Sequence, residues 1–73
     1  MKHEFKVNDV LAEIGNSRIL HVISAVGDDG YIVNYYFDNK YHYCSGWISF
    51  KTADKLFVKV DEWNNGKMKG IEE

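Results

Sequence analysis

Proline is absent from this chain, cysteine occurs once, and no apolar run is long. Each absence excludes something. One thiol, Cys44, can form no intrachain disulfide, and a cysteine-based zinc set cannot be assembled. A lone thiol fits a reducing compartment, so a cytoplasmic location is expected. The longest apolar runs fall far short of the roughly 20 residues of a spanning helix. The opening Met1-Lys2-His3-Glu4-Phe5-Lys6 is charged and no apolar stretch follows it, so neither a signal peptide nor a membrane partner is expected. Positive charge is also scarce: nine Lys and Arg stand against eleven Asp and Glu, for a formal net charge of −2. Nothing global then attracts phosphate, and a nucleic-acid partner is disfavoured. With 73 residues there is room for one domain. A domain of that size buries only about 60% of its unfolded surface. Its single core supplies of order 3–5 kcal/mol, too little to support a large buried polar site.

What is present is aromatic and β-branched. Eight of the eleven Phe, Trp and Tyr residues fall between Gly30 and Phe50, in two runs separated by Asp38-Asn39-Lys40. That arrangement predicts a β-hairpin. Before it, Val10 to Ile14 reads as a first strand. Val10, Ala12 and Ile14 share one face there, and Leu11 interrupts the alternation. Gly15-Asn16 reads as a turn with Gly in the first central position. Arg18 to Val26 reads as a second strand, and Gly27-Asp28-Asp29-Gly30 as the strongest turn signal. Tyr31–Phe37 and Tyr41–Phe50 form the hairpin, and Gly46 marks a bulge or bend. Lys51 to Asp54 reads as one 3-10 turn, and Leu56 to Val60 as a fifth strand. The expected fold is all-β: a small five-stranded SH3-like barrel over residues 1–60. Residues 61–73 are expected as a charged C-terminal tail, docked through Trp63. Val22, Val33, Ile48, Ala53 and Val58 are the expected core.

Candidate chemistry is thin. His3, His21 and His42 are scattered, and only His42 and Cys44 have a spacing that places them on one strand face. Two ligands do not make a zinc site, so a surface histidine and a half-buried cysteine are the preferred reading. The same pair as base and nucleophile lacks a third, orienting group. Asp28 and Asp29 lack the spaced oxygens of a calcium loop and are read as turn formers, as are Asp9 and Asp54. No catalytic residue, cofactor or metal is expected, and the chain is read as a non-enzyme.

The surplus is aromatic. Both faces of the predicted hairpin carry large side chains, whereas a chain this short is expected to bury one face. Tyr35, Tyr36, Tyr41, Tyr43 and Trp47, with Lys40 at the hairpin tip, are therefore the candidate partner-binding residues. Tyr and Trp give large contact area at low entropic cost. The competing reading is that they are cross-strand pairs serving the hairpin alone.

Two segments bear a resemblance. Glu4-Phe5-Lys6-Val7-Asn8-Asp9-Val10 resembles the opening of short SH3-like barrels encoded by bacteriophages, prophages and gut bacteria, with Asn8 in place of a usual Gly. Trp47-Ile48-Ser49-Phe50-Lys51-Thr52-Ala53-Asp54-Lys55-Leu56-Phe57 resembles their closing segment. The resemblance spans about residues 4–60. It implies a fold and a phage or mobile-element origin, and no reaction. The expected function is a protein-interaction module whose partner is a host protein or a second copy of the chain. By analogy, inhibition of a host defence system is the expected role. The alternatives are single-stranded nucleic-acid binding, with bases stacked on Tyr41 and Tyr43 beside Lys40, and capture of a nucleotide signal at an oligomer interface.

Overall fold

The computed structural model describes residues 5–70; residues 1–4, with His3, and residues 71–73 lie outside the described residues. The chain runs β1 Asp9–Glu13, β2 Asn16–Val26, β3 Gly30–Phe37, β4 Lys40–Ser49, α1 Phe50–Leu56, β5 Phe57–Asn64 and β6 Lys67–Met68. Neighbouring strands pair antiparallel in the order β4-β3-β2-β1-β5-β6, and the sheet curls into a half-barrel. The all-β, barrel-like expectation holds, with six strands rather than five.

Turn chemistry sets the strand ends. Asp38 and Asn39 both take positive φ (55° and 57°), as do Asn65 and Gly66 (53° and 82°). Two consecutive left-handed residues form the type I′ turn whose twist matches a hairpin. The first of these pairs joins β3 to β4 and the second joins β5 to β6. The β1–β2 turn is centred on Ile14-Gly15, because Glu13 pairs with Asn16 and Gly15 carries φ 88°. Glycine thus takes the second central position, not the first. Asn8, where the resemblance calls for Gly, adopts φ 78°, a conformation Asn tolerates better than most residues.

The expected 3-10 turn is instead a seven-residue α-helix. Ser49 caps its N-terminus: the hydroxyl accepts from the Thr52 backbone N–H at 3.1 Å and donates to Thr52 Oγ1 at 2.9 Å. The helix is longer than Lys51 to Asp54 because Phe50 precedes that stretch and Lys55 and Leu56 follow it within the same helix.

Burial is two-sided. On the inner face, Leu11, Ile23, Tyr31, Val33 and Ile48 pack with Ala53 of α1 and Phe57 at the start of β5, flanked by Phe5 and Phe50. Tyr31 is the hub: Phe5 and Phe50 meet its ring edge-on at 5.9 and 5.0 Å, and its hydroxyl accepts from the Phe5 N–H at 3.3 Å. On the outer face a smaller core joins Val10, Val22 and Met68, with Leu20, Tyr36, Tyr41 and Trp63 against it. This corrects the expectation that only one face is buried. It also explains Leu11: Val10, Leu11 and Ala12 are all buried because β1 is covered on both sides. Val22, Val33, Ile48 and Ala53 are core as expected. Val58 is not, being 45% exposed. It pairs with Ala12 on the outer face and belongs to neither cluster, whereas its neighbour Phe57 turns inward.

Truncating Val33→Ala should cost about 1–3 kcal/mol, the transfer and cavity cost of a buried branched side chain. Val58→Ala should stay within about 0.5 kcal/mol, as surface changes do. Urea melts of the two variants check the face assignment.

Candidate interaction surface

The six candidate residues separate into two groups. Tyr36 and Tyr41 are committed to the fold. They are directly paired across β3 and β4, and Trp63 covers both. Its indole lies 4.7 Å from the Tyr41 ring at 22°, a stacked geometry, and meets Tyr36 edge-on at 5.8 Å. The Asn34 side-chain amide donates to the Tyr41 hydroxyl at 2.7 Å. Tyr35 is also committed. It packs inward, edge-on to His21 at 5.2 Å, and its hydroxyl fills the space where a Cβ on Gly46 would stand. Gly46 is therefore a site of close approach, which sharpens the bulge-or-bend reading.

Trp63 reaches its position because of what lies around it. Its backbone N–H donates to Asn8 O at 2.7 Å, and Asn8 N–H donates to Ile23 O at 2.8 Å. The turn at Asn8 thus ties β5 to β2. Beyond Trp63, β6 folds back so that Met68 pairs with it. The expected tail thus carries the end of β5 and all of β6. The signal for this hairpin is Asn65-Gly66, the strongest two-residue hairpin dipeptide there is.

Tyr43, Trp47 and Lys40 remain outside. β4 is an end strand of the sheet. Its register against β3 jumps between the pairs Asn34↔Ser45 and Tyr35↔His42. Tyr43 and Cys44 are the extra residues, unopposed in a bulge, and both are exposed. A bulge re-aims side chains, and Tyr43 is 87% exposed, touching Tyr41 edge-on at 4.9 Å. Trp47 is 60% exposed, directly opposite Ile32, itself 39% exposed. Lys40 is exposed beside the hairpin tip. Between the two exposed rings lies a polar seam of Asn34 and Ser45, whose hydroxyl sits 3.5 Å from Asn34 Oδ1.

The buried carboxylate is engaged in a charge network, whereas the buried ring nitrogens His21 Nδ1 and His42 Nε2 make no hydrogen bond among the described residues. Asp9 is only 2% exposed. Its carboxylate accepts from the Lys6 backbone N–H at 3.0 Å and pairs with Lys59 Nζ at 3.3 Å. Lys59 also holds Glu62 at 2.7 Å, and Lys69 reaches Glu62 at 3.6 Å. The hydrogen bond from Lys59, with its charge, holds the Glu62 carboxyl below its ordinary value, and the bond to Glu62 chiefly raises Lys59. The hollow beside β5 lined by Lys59, Glu62 and Lys69 is thus floored by charges that neutralise one another. His42 stacks on Phe37 at 3.9 Å. Among the described residues, no three His, Cys, Asp or Glu side chains are grouped to hold a metal ion, and no helix is long and apolar enough to cross a membrane. Set beside protein-family models, curated proteins and solved structures, the chain matches none of them.

Trp63→Ala should cost about 2–3 kcal/mol, since it uncovers Tyr36, Tyr41 and the outer core together. A thermal melt reads this. His21 offers a second test. Burial holds its imidazole below the ordinary 6.5, with the Leu11 backbone and Glu13 pulling weakly the other way. The folded state keeps the ring neutral while the unfolded chain takes up a proton near that pH. Stability is then full above it and falls as pH drops below it. Wild type should lose urea resistance between about pH 7.5 and pH 5.5, and His21→Phe should lose measurably less.

Proposed function

We propose that this chain is a non-enzymatic protein-interaction module whose contact residues are Tyr43, Trp47 and Ile32, with Lys40 at the rim. One observation carries the reading. Two large aromatic side chains stand 87% and 60% exposed on one end strand, while every other aromatic among the described residues is at least partly buried. Partly desolvated aromatics beside a polar rim are what contact surfaces use, because truncating one removes much binding energy. The charge pattern favours a protein over a nucleic acid. Lys59 and Lys69 are engaged with Asp9 and Glu62, and among the described residues no basic stripe flanks the rings. The likeness of the opening and closing segments to phage and prophage barrels supports a phage or mobile-element origin. A host protein, part of a defence system, then fits as the target by analogy.

Tyr43→Ala and Trp47→Ala should leave the melting temperature within a few degrees of wild type and weaken association by about 2 kcal/mol or more. Tyr36→Ala and Tyr41→Ala should do the reverse, lowering stability. Melts paired with pull-downs from a bacterial lysate check this. Loss of stability with intact association for Tyr43→Ala and Trp47→Ala would overturn the reading.

A further inference from the structure

The free side of β4 has a pattern of its own. Phe50 N–H donates to Asp29 O at 3.0 Å. That bond makes Gly30↔Ser49 a pair flanked, not joined, by ladder hydrogen bonds. By alternation, Ile48 and Gly46 direct their backbone groups to β3, and Trp47 and Ser45 direct theirs away from it. The outward residues are also those whose side chains lie on the outer face, beside Ile32 and Asn34. Natural end strands are blunted by proline, by inward charge or by being very short. β6, at the other end of the sheet, is two residues long. β4 has ten residues, no proline, and one lysine at its far end. The bulge at Tyr43 and Cys44 is its single protective device, and beyond it Ser45 to Ser49 pair with β3 in unbroken register.

We infer that β4 pairs with β4 of a second copy, antiparallel about a twofold axis at Gly46. This rests on the reading of Tyr43 and Trp47 as contact residues and takes a second copy, in place of a host protein, as their occupant. This register joins the outward backbone groups of Ser45 and Trp47. Ser45 faces Trp47 of the other copy, and Tyr43 faces Ser49. Each Tyr43 is then diagonal to the other copy's Trp47, within reach of an aromatic ring. The arrangement is isologous, so both exposed rings of both copies are used and the assembly closes at two. Charge selects the antiparallel direction. Parallel pairing would set Lys40 beside Lys40. The antiparallel register parts them by a little more than one strand length and brings Lys40 toward the other copy's Asp28-Asp29 turn, which adjoins Ser49 through the Asp29–Phe50 bond. Asp38 at the same tip faces Lys51 in the same way. The buried area is consistent with a reversible dimer. The exposed parts of Tyr43, Trp47 and Ile32 amount to roughly 400 Å² per copy. With the strand backbones added, the total stands near the lower bound of about 1,000–1,200 Å² for a specific interface.

Sedimentation velocity of the full chain across about 5–500 µM tests the inference. Wild type should pass from monomer to dimer in that range. Trp47→Lys places a charge at the centre of the pairing edge, and Ser45→Pro removes an outward N–H that β3 does not use. Both should weaken dimerisation tenfold or more, with β dichroism retained as the sign that the monomer folds. Lys40→Glu should weaken it less, and adding Asp28→Lys and Asp29→Lys should restore it. Wild type that stays monomeric at the highest concentration overturns self-pairing. So does a dimer that Trp47→Lys and a folded Ser45→Pro leave intact. In the first case the contact reading stands or falls separately, on whether Tyr43→Ala loses its association with another protein.

Discussion

Three consecutive buried apolar residues in one strand must be covered on both sides, and the middle of β1 imposes that demand on the whole molecule. Val10, Leu11 and Ala12 are consecutive and buried, so a sheet with one wet face is not available to this chain. Tyr31, Ala53 and Phe57 meet the demand on the inner face. Trp63 and Met68 meet it on the outer face. The second solution needs the chain to continue past the point where a five-strand barrel would end and to double back. The turn at Asn8 and the bond from Trp63 to it make that return geometrically definite.

Assigning Trp63 to Tyr36 and Tyr41 decides which aromatics are surplus. Five rings and a lysine looked equivalent when read as one hairpin, because alternation places them on faces without saying which faces have lids. The lid comes from more than twenty residues later in the chain. Once it is in place, the exposed set contracts to the bulge residue Tyr43 and to Trp47, both on an end strand. The bulge serves both ends of this division. It lets Gly46 fall beneath Tyr35 on the inside and throws Tyr43 outward two positions before Ser45.

Much of the fold was legible. Polar breaks and alternating β-branched residues located four strands within a residue or two, and Val22, Val33, Ile48 and Ala53 were identifiable from their pattern. Val58 sits in an apolar run, Phe57-Val58, and only the pairing with β1 shows which of the two points inward. The helix is longer than expected because Phe50, Lys55 and Leu56 belong to it, residues that the sequence pattern places in or beside the flanking strands. β6 was missed because a charged composition outweighed the Asn65-Gly66 turn beside it. Only for Val58 was the deciding contact long-range; the helix cap and the Asn65-Gly66 turn are local signals. The interaction surface was legible as an aromatic excess and was not resolvable into members, since that required knowing the lid.

The turn that carries the lid has a chemical property of its own. Asn65-Gly66 is exposed, and the missing side chain on glycine leaves its backbone nitrogen free to attack the asparagine amide, which is why such dipeptides are among the thermolabile points of proteins. Cyclisation and reopening would replace Asn65 with aspartate or with an isoaspartyl linkage. The second product lengthens the main chain by one carbon in the middle of a two-residue turn. Covalent ageing would thus strike the outer core before the inner one. An old sample would shed Met68 and loosen Trp63 while Tyr31 and its neighbours kept their packing.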